Sequence, residues 1–97
     1  MKKLDIIIPA YKAQGTILRT LSSIAQQTIL DEIVVTIVND KDEIGYQKFI
    51  DMFKDVMDIR ELVLEENGGP GVARQHGIDN TTCQYFTCID ADDTFAN

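Results

Sequence analysis

Four short runs of apolar, largely β-branched residues predict the strands of one sheet. They lie at residues 4–8, 33–38, 59–64 and 84–89. The first run is followed by Pro9, which is typical of the end of a strand. Strands that are buried on both faces read as continuous apolar runs rather than alternating ones. The pattern therefore indicates a mostly parallel sheet.

The segments between these runs carry apolar residues at helical spacing. In residues 14–27 the apolar residues recur at this spacing from Ile17 and Leu21, and in residues 43–57 they recur from Tyr46 onward. Pro70 is well placed to open a third helix. Strand and helix thus alternate three times before the fourth strand. This order predicts an α/β fold with a Rossmann-like, doubly wound, mostly parallel sheet in three α/β/α layers.

The residues that follow the four predicted strands suggest a common site. In an open parallel sheet, ligands bind outside the carboxyl ends of the strands. The residues at this edge are Pro9 and Tyr11 after the first strand, Asn39 and Asp40 after the second, loop 67–71 and Arg74 after the third, and Asp90 and Asp92 after the fourth. The sequence therefore predicts one site built from four loops.

Asp90 and Asp92 form a D-x-D tripeptide with two interpretations. If the strand geometry persists, both carboxylates project to the same side, about 6 to 7 Å apart. Carboxylates select hard divalent cations such as Mg²⁺ or Mn²⁺, and substrate phosphates commonly complete the shell of such ions. A lone D-x-D is more often a solvated acidic turn, although the position after a strand favours the metal site.

The other residues at this edge also have two interpretations each. Loop 67–71 either presents backbone amides to an anion or makes a tight connection to the helix, where Arg74 is placed to contact a phosphate or a base. Tyr11 either stacks on a nucleobase or caps the core. Asp40 either accepts a hydrogen bond from a base or begins a helix, and the second role is the commoner one for an isolated Asp.

Composition and charge narrow the possible partners. The chain has 97 residues, 44% hydrophobic and 26% charged, which is typical of one globular domain. Its formal net charge of -7 argues against nucleic acid and anionic membranes as partners. A small anionic ligand is still compatible with this charge if a divalent cation or an arginine lies at the site. The sequence shows neither a secretion signal nor a run of about 18 apolar residues.

The cysteine usage predicts a cytoplasmic protein. Cys83 and Cys88 fall in one predicted strand at an odd separation, so their side chains should point to opposite faces of the sheet. Two such side chains are too far apart to form a disulfide. Free thiols suit a reducing compartment. A longer parent chain would be either free in the cytoplasm or associated with the membrane on its cytoplasmic side.

Taken together and in order, these segments resemble the family 2 glycosyltransferases, whose donor-binding half has the GT-A fold. Residues 6–11 (IIIPAY) are similar to the family's opening strand and loop, and residues 21–28 (LSSIAQQT) to its first helix. Residues 67–74 (NGGPGVAR) match its N-G-G-x-x-x-A-R segment, and residues 85–93 (YFTCIDADD) match its strand leading to D-x-D-D. The likeness covers essentially the whole chain.

The resemblance implies a metal-dependent, inverting transfer of a sugar from a nucleotide-diphosphate donor to an acceptor hydroxyl. A Mn²⁺ or Mg²⁺ ion would be held mainly by Asp92, with Asp90 as a second ligand or at a metal-bound water. The implied donor-binding residues are Pro9, Tyr11 and Asp40 in the nucleobase and ribose pocket, Arg74 near the base or the diphosphate, and Asp90 at the ribose.

Three positions depart from the family's pattern. Lys12 stands where the family usually has Asn, and Gln75 replaces the usual Asn after the arginine. Residues 39–42 (NDKD) stand where the family has two Asp followed by Gly-Ser, so Asn39 replaces the first of the two acids. These changes bear on the nucleobase contacts and therefore on the identity of the donor.

The resemblance also implies what residues 1–97 do not supply. In this family, the general base and the acceptor site come from sequence after the D-x-D strand, so we name no catalytic residue here and expect the general base beyond Asn97. We expect residues 1–97 to be the donor-binding part of a GT-A domain that is inactive alone, and the free edge of the fourth strand to favour a homo-oligomer. The alternative function is a non-catalytic nucleotide-binding or assembly module.

Two other protein classes share this architecture but fit the first loop poorly. A nucleotidyltransferase usually has a glycine-rich loop directly after the first strand. A receiver-type signalling domain has an acidic pair there. The chain has Pro9 and Ala10 at these positions, which disfavours both classes.

Overall fold

The computed structural model describes residues 2–27 and 30–92, in which strands and helices alternate as predicted. A 3₁₀ turn, Leu30–Glu32, leads into the second strand. The other elements in chain order are β1 (Leu4–Ala10), α1 (Ile17–Ala25), β2 (Ile33–Asn39), α2 (Gln47–Phe53), β3 (Asp58–Val63), α3 (Gly69–Asp79) and β4 (Tyr85–Cys88).

The strands form one parallel sheet in the order β3-β2-β1-β4. β1 lies at its centre, and Ile7 is in register with Thr36 of β2 on one side and with Cys88 of β4 on the other. The chain winds outward from β1 to β3 and then crosses to the far side of β1. The carboxyl ends of β1 and β4 therefore flank the point where the strand order reverses, which is where open α/β sheets bind ligands.

Alternating side chains of the sheet build two separate apolar layers, which confirms the predicted three-layer, doubly wound fold. Ile6, Ile8, Val35 and Ile37 pack against the helices α1 and α2 on one face. The other face carries a smaller cluster, in which Ile7, Val38 and Leu64 pack with Ala73 of α3. Burial on both faces is the reason that these strands read as continuous apolar runs.

Helix α3 approaches the sheet closely at Gly77. A Cβ atom built at this glycine would lie 2.5 Å from Cγ2 of Ile7 and 3.2 Å from Cγ2 of Val38. Only a residue without a side chain fits this contact, so Gly77 sets the height of α3 above β1 and β2. The amino end of the helix then reaches the carboxyl edge of the sheet.

A buried polar cluster crosses three strands on the α3 face. The Asp5 side chain in β1 is buried, and its Oδ1 accepts a hydrogen bond of 2.7 Å from the Thr36 hydroxyl in β2. Arg60 in β3 donates through Nε to Thr36 and through Nη2 to Asp5 at 3.4 Å and to the Asn80 carbonyl at 3.0 Å. The arginine thus compensates the charge of a carboxylate that sits within an apolar strand.

The predicted bounds of α2 and β4 differ from those in the structure. Helix α2 is shorter than the predicted 43–57, because the Tyr46 amide donates to the Glu61 carboxylate instead of joining an earlier helical turn. β4 begins at Tyr85, so Cys83 precedes the strand instead of lying in it. Cys83 and Cys88 are both free thiols, as predicted. Among the described helices, none combines the length and the apolar character that crossing a membrane requires.

Candidate functional site

A cavity of about 390 Å³ opens at the carboxyl edge of the sheet. Its volume is within the range of about 300 to 1,000 Å³ that small-molecule sites occupy. Four segments of the chain contribute its walls, and the lining residues are Pro9, Ala10, Tyr11, Lys12, Ala13, Thr16, Asp40, Pro70, Ala91 and Asp92. The structure thus brings four of the six predicted site residues to one cavity, while Arg74 and Asp90 lie outside its lining.

Tyr11 is part of the cavity wall and not of the core. Its side chain is 48% exposed, which rules out the interpretation of this ring as a cap on the core. The ammonium group of Lys12 lies 5.4 Å from the centre of the Tyr11 ring, within the range of a cation-π contact. An exposed ring on the cavity wall offers a stacking surface for a planar ligand.

The carboxylate of Asp40 holds the glycine-rich loop. Asp40 is 3% exposed, and its Oδ1 and Oδ2 accept hydrogen bonds from the amides of Gly68 at 2.8 Å and Gly69 at 2.9 Å. The Asn67 side chain also donates to the Asp40 carbonyl oxygen at 3.0 Å. Asp40 is therefore the N-terminal cap of α3, supplied by a different loop, and the two glycine amides have a protein partner.

Both glycines are required by this geometry. Gly69 has a φ of 86°, a left-handed conformation that residues with a Cβ atom rarely adopt. A Cβ atom at Gly68 would lie 2.7 Å from Cγ1 of Val72. Sequence analysis gave two interpretations of loop 67–71, an anion-binding loop and a tight connection to the helix. At the Gly68 and Gly69 amides the loop is a tight connection.

Asp90 and Asp92 point into different surroundings. β4 ends at Cys88, so the strand geometry that would place both carboxylates on one side does not persist. Ala91 between them is buried in the core, and its carbonyl oxygen accepts a hydrogen bond of 3.0 Å from the Thr20 hydroxyl of α1. Asp92 consequently lines the cavity, whereas Asp90 forms an exposed ion pair of 3.8 Å with Arg74.

The described residues contain no group of three or more His, Cys, Asp or Glu side chains close enough to hold a metal ion together. The donor atoms that the site does offer are carboxylate oxygens, which suit a hard divalent cation. A cation with few protein ligands takes its remaining ligands from water and substrate phosphates.

Two parts of the family resemblance involve residues that the structure does not describe. Asp93, the last acid of the D-x-D-D motif, lies outside the described residues, and so does Asn97, beyond which we expect the general base. The position of the base therefore stays a prediction, and no described residue is assigned to this role.

A family model described as Glycosyl transferase family 2 matches residues 5–97 of this chain. The chain belongs to glycosyltransferase family 2. It is 34% identical over 92 residues to glycosyltransferase GlyA of Streptococcus pneumoniae, a match that covers 94% of this chain and 13% of GlyA. It is 37% identical over 99 residues to the teichoic acid poly(glycerol phosphate) polymerase of Staphylococcus epidermidis, covering 100% of this chain and 14% of that protein. The chain thus spans about one seventh of each relative's length.

Solved structures show the same fold. The crystal structure of S. aureus TarS 1-349 in complex with UDP-GlcNAc superposes with a TM-score of 0.86 at 26% identity, covering 95% of this chain and 27% of TarS 1-349. The mannosyltransferase PcManGT from Pyrobaculum calidifontis, in complex with GDP-Man and Mn²⁺, superposes with a TM-score of 0.83 at 18% identity, covering 98% and 29% of the two chains. The architecture is that of the GT-A glycosyltransferases.

Two of the residues that depart from the family 2 pattern, Lys12 and Lys41, have a left-handed backbone conformation. Lys12 has a φ of 51° and Lys41 a φ of 60°. The family's usual Asn and Gly at these positions adopt this conformation more readily, whereas other residues carry a cost of about 1 to 2 kcal/mol. The two loops of this chain therefore adopt a backbone conformation that their lysines do not favour.

Another departure from the family pattern, Asn39, is explained by its partner in β3. Asn39 is buried, and its side-chain amide donates to Oε2 of Glu61 at 2.9 Å while its Oδ1 accepts from the Asp42 amide at 2.7 Å. An aspartate here would set a second carboxylate against Glu61. An amide satisfies both neighbours without like-charge repulsion.

Sequence reasoning missed Asp42, the residue with the densest hydrogen bonding near the cavity. Its Oδ2 accepts from the Lys12 amide at 2.5 Å, the Gln14 side chain at 3.0 Å and the Tyr46 hydroxyl at 2.9 Å, and its Oδ1 accepts from the Ile44 amide at 3.4 Å. The signal that would have found it is its place in the family motif, where an acid replaces a serine.

These contacts shift two pKa values in opposite directions. Burial raises the pKa of Asp42, but the hydrogen bonds from Gln14, Lys12, Tyr46 and Ile44 outweigh this effect and leave the pKa below its ordinary value. Burial raises the pKa of the Tyr46 phenol, and its bond to Asp42 raises it further, against the opposing effect of the Ala13 amide. Asp42 is therefore charged and Tyr46 neutral at neutral pH.

Proposed function

We propose that the chain forms the donor-binding part of a metal-dependent, inverting glycosyltransferase domain. In this proposal a nucleotide-diphosphate sugar occupies the cavity at the carboxyl edge, and its sugar passes to an acceptor hydroxyl. The observation that carries the proposal is the cavity itself, which joins Tyr11, Asp40 and Asp92 at the reversal point of the strand order. The UDP-GlcNAc complex of TarS, which shares this fold, supports it.

The chemistry of the walls fits the parts of such a donor. The exposed ring of Tyr11 provides a stacking surface for the nucleobase, and Pro9 beside it adds an apolar contact. Asp40, whose carboxylate holds Gly68 and Gly69, forms a fixed wall of the nucleoside pocket rather than a freely placed hydrogen-bond acceptor. Arg74, one turn into α3, would reach the diphosphate after exchanging its exposed partner Asp90 for phosphate oxygens.

The acidic residues fit a divalent cation at the diphosphate. Asp92 would hold the ion from the cavity wall, and Asp90 would bind it or one of its waters once Arg74 has turned to the ligand. When bound, Mn²⁺ or Mg²⁺ would stabilise the charge that develops on the leaving diphosphate. The Mn²⁺ in the structure of the fold neighbour PcManGT is consistent with this assignment.

The reaction also needs a base that removes the proton from the acceptor hydroxyl, within hydrogen-bond reach of it. We assign neither this base nor the acceptor site to a described residue, and we propose that sequence beyond Asn97 supplies both. Residues 1–97 are accordingly proposed to bind donor without transferring sugar.

Titration calorimetry with UDP, GDP, CDP and TDP sugars, with and without Mn²⁺, tests the proposal. We expect one donor to bind in a Mn²⁺-dependent manner, and Asp92→Ala to weaken this binding at least about tenfold, or 1.4 kcal/mol. The matched control is Asp55→Ala, in the exposed turn after α2. Binding that ignores both Mn²⁺ and Asp92 would favour the non-catalytic module, and a chain that binds no donor would contradict the proposal.

A further inference from the structure

We propose that Asp42 is a positioning residue for the donor cavity, because its carboxylate fixes the loop that carries Tyr11. This inference rests on the proposed function for the identity of the ligand. Asp42 does not line the cavity. It acts through the segment 9–13, which supplies half of the lining and begins with the last two residues of β1.

The first step is the convergence of donors on one oxygen. Oδ2 of Asp42 receives the Lys12 amide, the Gln14 side-chain amide and the Tyr46 hydroxyl, at 2.5, 3.0 and 2.9 Å. Lys12 and Gln14 belong to the loop after β1, whereas Asp42 belongs to the loop after β2. Hydrogen bonds to an ionised carboxylate are shorter and stronger than those between neutral groups. One charged side chain therefore joins the two loops.

The second step is that Asp42 is itself held from the sheet. Its amide donates to Oδ1 of Asn39 at 2.7 Å, and the Asn39 side chain donates to Glu61 of β3 at 2.9 Å. Asn39 is the last residue of β2, so this chain of contacts begins on two paired strands. These hydrogen bonds thereby connect the loop after β1 to the paired strands β2 and β3.

The third step concerns the backbone of Lys12. Lys12 has a φ of 51°, which disfavours any residue other than glycine, asparagine or aspartate. The bond from its amide to Asp42 compensates for this disfavoured conformation. Lys12 follows Tyr11 directly, and its ammonium group lies 5.4 Å from the Tyr11 ring, so both the backbone and the side chain of Lys12 help to orient that ring.

The fourth step is that an uncharged substitute cannot reproduce these contacts. Asparagine has a single, uncharged acceptor oxygen; with this oxygen at the position of Oδ2, the three donors meet a neutral acceptor and the NH₂ group faces the Ile44 amide. Serine, the usual family residue at this position, is shorter by one bond and offers one oxygen. The position of the loop after β1 thus depends on two residues that act as a coupled pair, the carboxylate of Asp42 and Lys12, the lysine that replaces the family's asparagine.

The experiment compares Asp42→Asn with the matched control Asp55→Asn, which removes the same charge in the exposed turn after α2. Two quantities are measured on folded protein. One is the Kd of the nucleoside diphosphate that the wild type binds best in the presence of Mn²⁺, and the other is the hydrogen-exchange rate of the Lys12 amide. We expect Asp42→Asn to raise the Kd about three- to tenfold and the exchange rate at least about tenfold, with little change in the control.

Making the same substitution in a second background distinguishes the positioning role of Asp42 from a purely structural one. Because asparagine tolerates the left-handed region, Asp42→Asn should cost less affinity in a Lys12→Asn background than in the wild type. Equal losses in both backgrounds would overturn the proposed coupling. If Asp42→Asn does not fold, Gln14→Met removes one donor to Oδ2 while keeping the side-chain length, and an unchanged Kd in that variant would also overturn the inference.

The two proposals fail in different ways. A wild-type chain that binds no nucleoside diphosphate contradicts the proposed function. A wild type that binds, together with a folded Asp42→Asn variant of equal Kd, overturns the positioning role alone.

Discussion

The hydroxyl group of Thr20 in α1 donates a hydrogen bond of 3.0 Å to the carbonyl oxygen of Ala91, 71 residues further along the chain. Both residues are buried, and Ala91 lies between the two acids of the D-x-D tripeptide. The first helix of the fold thus holds the turn that directs Asp92 into the cavity.

Thr20→Val tests this contact. Valine has nearly the shape of threonine but cannot donate, so the buried carbonyl oxygen of Ala91 loses this donor at a cost of about 1 to 3 kcal/mol in the free energy of unfolding. Urea denaturation measures the loss. The exposed Thr82→Val is the control, and equal stability of the two variants would show that the bond does not hold the turn.

Asp40→Asn should destabilise the protein by about 1 to 3 kcal/mol, because one of the two amides held by Asp40 would face an NH₂ group instead of a carboxylate oxygen. The free energy of unfolding is again the measurement. Asp55→Asn, in the exposed turn after α2, should change it by less than about 0.5 kcal/mol. A stable Asp40→Asn variant would mean that the cap on α3 is dispensable.

Gly77→Ala should destabilise the protein by about 1 to 3 kcal/mol, since the added methyl group would lie 2.5 Å from Cγ2 of Ile7 in a packed core. Gly71→Ala in the same helix is the matched control, because a Cβ atom there meets nothing within 4 Å. Alanine favours helix over glycine, so the control should be neutral or slightly stabilising. Thermal unfolding of both variants distinguishes close packing from helix propensity.

The ion pair of Arg74 and Asp90 is exposed and should contribute less than about 1 kcal/mol to stability. Arg74→Ala is therefore expected to leave the unfolding free energy nearly unchanged but to weaken donor binding about tenfold, or 1.4 kcal/mol, because the proposed phosphate contact would be lost. Arg19→Ala, on the exposed side of α1, should affect neither quantity. Unchanged donor affinity in Arg74→Ala would remove this residue from the proposed site.

The lowered pKa of Asp42 makes a prediction about pH. A carboxyl group whose pKa is lower in the folded than in the unfolded protein adds stability above the unfolded value, and this contribution disappears as the pH falls through the folded value. The stability difference between the wild type and Asp42→Asn should therefore be constant from pH 7 to about 5 and shrink below 3.8, the ordinary value of this group. Urea denaturation across this range measures it, and a difference independent of pH down to about 2 would contradict the assignment.

Local patterns were sufficient for the architecture. The run Ile6, Ile7, Ile8 indicated a strand buried on both faces, and the structure places Ile7 in one apolar layer and its two neighbours in the other. The same reasoning placed Asp92 and Tyr11 at the carboxyl edge, because parallel strands end on a common side. The motifs then indicated the family, which the matching family model confirms.

The partners of the polar groups could not be read from the sequence, because hydrogen bonds join positions that only the packed sheet brings together. Asp40 holds amides 28 and 29 residues away, and Asp42 meets Lys12 30 residues earlier. The direction of Asp92 depends on the burial of Ala91 under α1. The sequence by itself determined the order of strands and helices along the chain and the edge at which the cavity opens, because both follow from local periodicity and chain direction. The tertiary structure alone decided which acids face the cavity and which hold its loops, because burial and distant hydrogen-bond donors set the role of each carboxylate.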